Sequence, residues 1–107
     1  MKTGDYWIAI GQVHFSGSPD EFSRVLALQG LRAEPGRFAV RVRDCSHFVL
    51  QSAQPVGYDL DADADSEEEM LRDVERVSRA LSAASVNHTF EVCGPDKGIV
   101  RSFGYDG

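Results

Sequence analysis

The stretch DLDADADSEEEM, residues 59–70, carries seven acidic side chains and no basic one. Carboxylates at alternating positions suit a calcium loop, which also needs a glycine at its sixth place and a bidentate glutamate at its twelfth. Counted from Asp59, those places hold Ala64 and Met70; counted from Asp61, the sixth is Ser66. The preceding QPVGY is no helix, so the frame of paired helices is missing as well. Ser66 followed by Glu69 has the form of a capping box, and Glu67, Glu68 and Glu69 put negative charge at the positive end of a helix dipole. That leaves Asp59, Asp61, Asp63 and Asp65 without a folding role, since crowded carboxylates repel one another. Two expectations follow for the run as a loop. It is a solvated, solubilising segment, or it is a negative patch of Asp59, Asp61, Asp63, Asp65, Glu67 and Glu68 that captures a basic partner.

The remaining chemistry-bearing residues are sparse. His14, His47 and His88 with Cys45 and Cys93 are the soft metal ligands, but CSH (45–47) and HTFEVC (88–93) have no structural zinc spacing, so no metal or cofactor is expected. Cys45 lies in a turn flanked by Arg43, Asp44 and His47, a setting in which a reactive thiolate is conceivable, yet no oxyanion hole or third member accompanies it. CGPDKG lacks the glycine spacing of a phosphate loop and fits a hairpin turn.

Net charge is −6 over 107 residues, and it is unevenly placed: +1 through Gly57 and −7 from Tyr58 onward. An acidic chain repels phosphate, so nucleic acid is not an expected partner, and SHFVLQSA lacks the glycine–aromatic pattern of an RNA-binding sheet. The N-terminal MKTGDYWIAIGQV contains no long apolar run, which argues against a membrane anchor or signal peptide and for a cytoplasmic location. The length is that of one domain, residues 1–107.

These residues must be carried by elements. YWIAIGQVHF (6–15) reads as a strand with apolar residues on both faces, hence a central one. Ser18, Pro19 and Glu21 open a short helix through Phe22, Val25 and Leu26, with Gly30 as its stop and Leu31 packed behind it. GRFAVRVRD alternates with Phe38, Val40 and Val42 inward and Arg37, Arg41 and Arg43 outward, and HFVLQS returns with Phe48 and Leu50 inward. AQPVGYDLDADAD reads as a loop broken by Pro55 and Gly57. A second helix is expected from about Ser66 to about Ala84, with Met70, Leu71, Val74, Val77 and Leu81 on one stripe and Arg72, Arg76 and Arg79 opposite. NHTFEVCG is a strand, and IVRSFG is a candidate terminal strand. The order β-α-β-β-α-β predicts an α+β, two-layer ferredoxin-like sandwich with a possible extra C-terminal strand.

No catalytic constellation emerges. The reading that composition and charge favour is a small acidic protein-binding module, an adaptor or inhibitor, whose acidic loop meets a basic partner. Bacterial immunity proteins that neutralise basic nucleases share that physical character, by analogy alone. The alternative is a small-ligand-binding or enzymatic homodimer with a pocket at the open sheet face, lined by Trp7, His14, Arg41 and His47.

Overall fold

The computed structural model describes residues 6–53, 57–96 and 98–107; the expected breaker at Pro55 and Lys97 of the expected turn lie outside them. The chain forms β1 (Trp7–Val13), α1 (Pro19–Leu28), β2 (Ala33–Pro35), β3 (Ala39–Val42), β4 (His47–Ser52), β5 (Tyr58–Ala64), α2 (Glu67–Ala83), β6 (His88–Cys93) and β7 (Ile99–Tyr105). The seven strands make one sheet in the order β2-β3-β4-β5-β1-β6-β7, and each neighbouring pair is antiparallel. The architecture is α+β, but the ferredoxin-like topology is not what forms. That topology would place β1 beside the HFVLQS strand; here β5 separates them, and β1 is flanked by β5 and β6.

The difference lies in the acidic stretch. DLDADA is not a loop: it is most of β5, paired on both sides, Asp61 opposite Ile10 of β1 and opposite Val49 of β4. Asp and Ala are both uncommon in strands, which hid the period-2 pattern Tyr58, Leu60, Ala62, Ala64. All four are buried, while Asp59 and Asp61 are exposed and Asp63 is half-buried on the other face.

Each strand contributes one parity to a single core. Ala9 and Val13, Val40 and Val42, Phe48 and Leu50, Tyr58 to Ala64, and Phe90 and Val92 meet Phe22 and Leu26 of α1 and Met70, Val74, Val77 and Leu81 of α2. Both helices therefore lie on one face of the sheet, and among the described residues no element covers its other face. Tyr58 ties β5 to the start of α1: its hydroxyl donates to the Gly17 carbonyl at 2.8 Å, and its ring lies 4.6 Å from that of Phe22. Phe38, expected inward, sits before β3 and is 66% exposed beneath the Arg37 guanidinium.

Helix ends follow local chemistry. Ser18 and Glu21 form a full capping box, and α1 closes with Leu31 N–H donating to Leu26 and Gly30 N–H to Ala27, Gly30 taking φ +90°. At α2 only half of the expected box forms. Ser66 accepts from the Glu69 N–H, but the Glu69 carboxylate turns away to accept from the Ser46 hydroxyl. The end of α2 repeats the α1 motif with a serine in the left-handed position: Val86 N–H donates to Leu81, Ser85 N–H to Ser82, and Ser85 has φ +60°. A Cβ in that region is disfavoured, whereas glycine occupies it freely. Ser85→Gly is expected to raise unfolding free energy by about 0.5–1 kcal/mol, read from urea titration.

One buried polar pair crosses from α2 to β6. His88, 2% exposed, donates from Nδ1 to the Val86 carbonyl at 2.9 Å, because a carbonyl can only accept. Its Nε2 is then bare and accepts from the Ser78 hydroxyl at 2.7 Å. Burial holds the pKa of His88 below the ordinary 6.5, despite the opposing pull of the Val86 carbonyl. Below pH 6.5 the unfolded chain gains a proton at this residue that the folded chain resists, so the stability it contributes is present above that value and lost as pH falls. Asp73 works in the opposite sense, since burial raises its pKa above 3.8 and acid relieves its charge. Comparing urea stability of the wild type and His88→Gln between pH 8 and 5 isolates the histidine: the variant is expected to be weaker at pH 8 and to lose less on acidification.

Candidate functional site: the uncovered sheet face

On the face away from the helices, cross-strand register sets side chains in rows. One row runs Glu34, Arg41, Val49, Asp61, Ile10, Glu91, Ser102 from β2 to β7. Beside it lie Ala39, Gln51, Asp59, Gln12, Thr89 and Gly104, and on its other side His47, Asp63, Ile8 and Cys93. Asp59, Asp61 and Asp63 thus recur about every 6.6 Å along an interior strand whose backbone is paired on both sides. Ile10, 47% exposed, stands among them. Among the described residues the ion pairs are Arg32–Asp44, Arg43–Glu34 and Arg79–Glu75, and none involves these three aspartates.

A shallow concavity of about 460 Å³ opens on this face, lined by Ile10, Gly11, Gln12, Asp59, Leu60, Thr89 and Glu91. Gly11 explains its position. A Cβ there would fall 2.0 Å from the Thr89 carbonyl oxygen, so β1 and β6 approach closely only because the residue is glycine. Asp59 and Glu91 bring two carboxylates to the dish, Gln12 and Thr89 supply neutral hydrogen-bonding groups, and Ile10 gives an apolar wall. That chemistry suits a cationic group with a hydrocarbon stem, such as an arginine or lysine side chain.

The expected patch is therefore split. Asp59, Asp61 and Asp63 share the uncovered face; Asp65 sits in the bend after β5; Glu67 and Glu68 lie on the first turn of α2, in the helical layer. Glu91 and Gln12 join the first three, and no pattern in the sequence marked them, because β6 is far away in the chain.

The alternative set does not converge. Arg41 and His47 are on the uncovered face at β3 and β4, His47 opposite Asp63. Trp7 is on the core parity of β1, its ring packed against Gly94, and His14 lies beyond the other end of β1. His14 instead borders a separate cleft with Asn87, Thr89, Tyr105 and Asp106.

Cys45 is not a thiolate nucleophile. Burial, reinforced by the Asp73 carboxylate, pushes its pKa up to about 12, so the thiol stays protonated. The turn that carries it is instead held to α2, with Ser46 N–H donating to buried Asp73 at 3.1 Å. The Ser78–His88 pair has the geometry of a nucleophile and its base, yet both side chains are buried, and His88 reaches only the edge of the cleft beside His14. Among the described residues no group of three or more His, Cys, Asp or Glu is placed to hold a metal ion, and no helix is long and apolar enough to cross a membrane. No protein-family model matches the chain, no curated protein matches it, and no solved structure matches it.

Proposed function

We propose that this chain is a non-enzymatic protein-binding module, an adaptor or inhibitor, that docks a basic partner on its uncovered sheet face. The observation that carries this reading is the outward row Asp59, Asp61, Asp63, free of ion pairs among the described residues and mounted on a strand paired on both sides. Carboxylates on an interior strand are already positioned, so little backbone freedom is lost on binding. Like charges held in a row also raise the local potential, which draws a cationic surface in and speeds encounter. An extended partner segment with Lys or Arg at alternate positions matches the spacing of the row, and one such side chain fits the dish between Asp59 and Glu91. Inhibition of a basic enzyme is one form this binding would take.

A second reading, a small cationic ligand bound in the same dish, has the support of its two carboxylates and apolar wall. Thermal shift separates the two: a ligand raises Tm by mass action, whereas arginine or a small diamine leaves a docking face unmoved.

The test is capture of partners from lysate at low and moderate salt, with three baits. Wild type is expected to hold a basic protein, more weakly as salt rises. The variant Asp59→Asn, Asp61→Asn, Asp63→Asn is expected to bind that protein about tenfold more weakly or worse, a loss of about 1.4 kcal/mol. A variant changing Asp65→Asn, Glu67→Gln and Glu68→Gln is expected to bind nearly as wild type, because those side chains lie off the face. Equal retention by all three baits would sink the reading.

A further inference from the structure

The two edges of the sheet are built differently. β2 is three residues long, contains Glu34 and Pro35, and has the Arg43–Glu34 ion pair at its side. Short length, proline and charge are the usual guards against strand addition. β7, at the opposite edge, lacks the first two, and its one charge is Arg101. It is seven residues long, IVRSFGY, without proline or acidic residue, and Ile99 and Val100 are 60% and 43% exposed. Being last in the sheet order, it has among the described residues a strand neighbour, β6, on one side only.

We propose that β7 pairs antiparallel with β7 of a second copy, joining two seven-stranded sheets into one. The sequence of the edge is self-complementary. Pairing about Ser102 sets Arg101 of each copy against Phe103 of the other. Arg101 and Phe103 already attract within one chain, the guanidinium lying 5.0 Å from the ring centroid. The charge map favours the same edge. Each copy carries −6, yet β7 contributes only the positive Arg101. In the joined sheet the two β5 strands lie seven strand spacings apart, about 34 Å, and the two Glu91 side chains lie three apart, about 14 Å. Both distances exceed the screening length of about 8 Å at physiological ionic strength, so the acidic faces do not oppose association here. Pairing through β5 or the dish would set carboxylate on carboxylate.

A single strand pair is a small interface, so the dimer is weak and concentration-dependent. Sedimentation equilibrium of the full chain under reducing conditions, from about 5 to about 500 µM, spans the relevant range. The mass is expected to rise from 11.8 kDa toward twice that value. Ser102→Lys and, separately, Val100→Lys place a charge on the edge and should raise the midpoint concentration at least about tenfold with Tm unchanged. Should either variant unfold, amide exchange in the wild type decides: residues 99–105 must become more protected as concentration rises. The triple asparagine variant of β5 should dimerise as wild type, which separates this inference from the docking face. A wild type that stays at 11.8 kDa throughout, the result expected if β7 serves another protein's strand, overturns the proposal. So does a folded Ser102→Lys protein that dimerises normally.

Discussion

A strand with aspartate at every second position has only one tolerable register. In β5 the set Tyr58, Leu60, Ala62, Ala64 faces the helices and the set Asp59, Asp61, Asp63 faces away. A slip of one residue would exchange the sets and drive three carboxylates into the core, at several kcal/mol apiece unless protonated or paired. That penalty fixes β5, and β5 fixes its neighbours. β1 and β4 pair on either side of it, so the register of the acidic strand sets which side of β1 carries Ile10 and which side of β4 carries Phe48. The Tyr58 hydroxyl on the Gly17 carbonyl then anchors the approach to α1. The charges that look superfluous for folding specify it by what they forbid.

Much of this was legible in the chain. The capping box at Ser18, the stop at Gly30, the arginine stripe of α2 and the inward Phe48 and Leu50 all follow from local chemistry and appear as read. Two-sided apolar character correctly made β1 central. What failed was a strand written in residues that strands usually avoid. Ala62 and Ala64 are buried, but alanine carries little strand propensity, so their inward placement leaves no local signal. Misreading β5 cost the topology, because without it β1 falls beside β4 and the ferredoxin-like order follows. Composition drew attention to the aspartates of β5, but not to which other carboxylates share their face. Distance along the chain hid Glu91 and Gln12 from Asp59, while Glu67 and Glu68, adjacent in sequence, lie in the helical layer.

Carboxylates cluster on the uncovered face, and arginines form one stripe of α2. The uncovered face holds Asp59, Asp61, Asp63 and Glu91 around Ile10, and the outer surface of α2 holds Arg72, Arg76 and Arg79 with Glu75 between them. The two are kept apart by the thickness of the core, so neither neutralises the other. Among the described residues the buried polar side chains are satisfied: His88 with Ser78 and Val86, Asp73 with Ser46.

The position of β1 has a further bearing on how the chain comes to be folded. Of the seven described strands it is made first, well before its two partners: Ile8 lies opposite Asp63 on one side and Cys93 on the other. During synthesis Trp7, Ile8 and Ile10 leave the ribosome long before either neighbour exists. The hairpin of β3 and β4 and the helix α1 can form meanwhile from local contacts, but the centre of the sheet closes only after β6 has emerged. For that interval an apolar strand with two open edges is exposed to other unfolded chains, a period in which chaperone occupancy rather than native stability decides its fate.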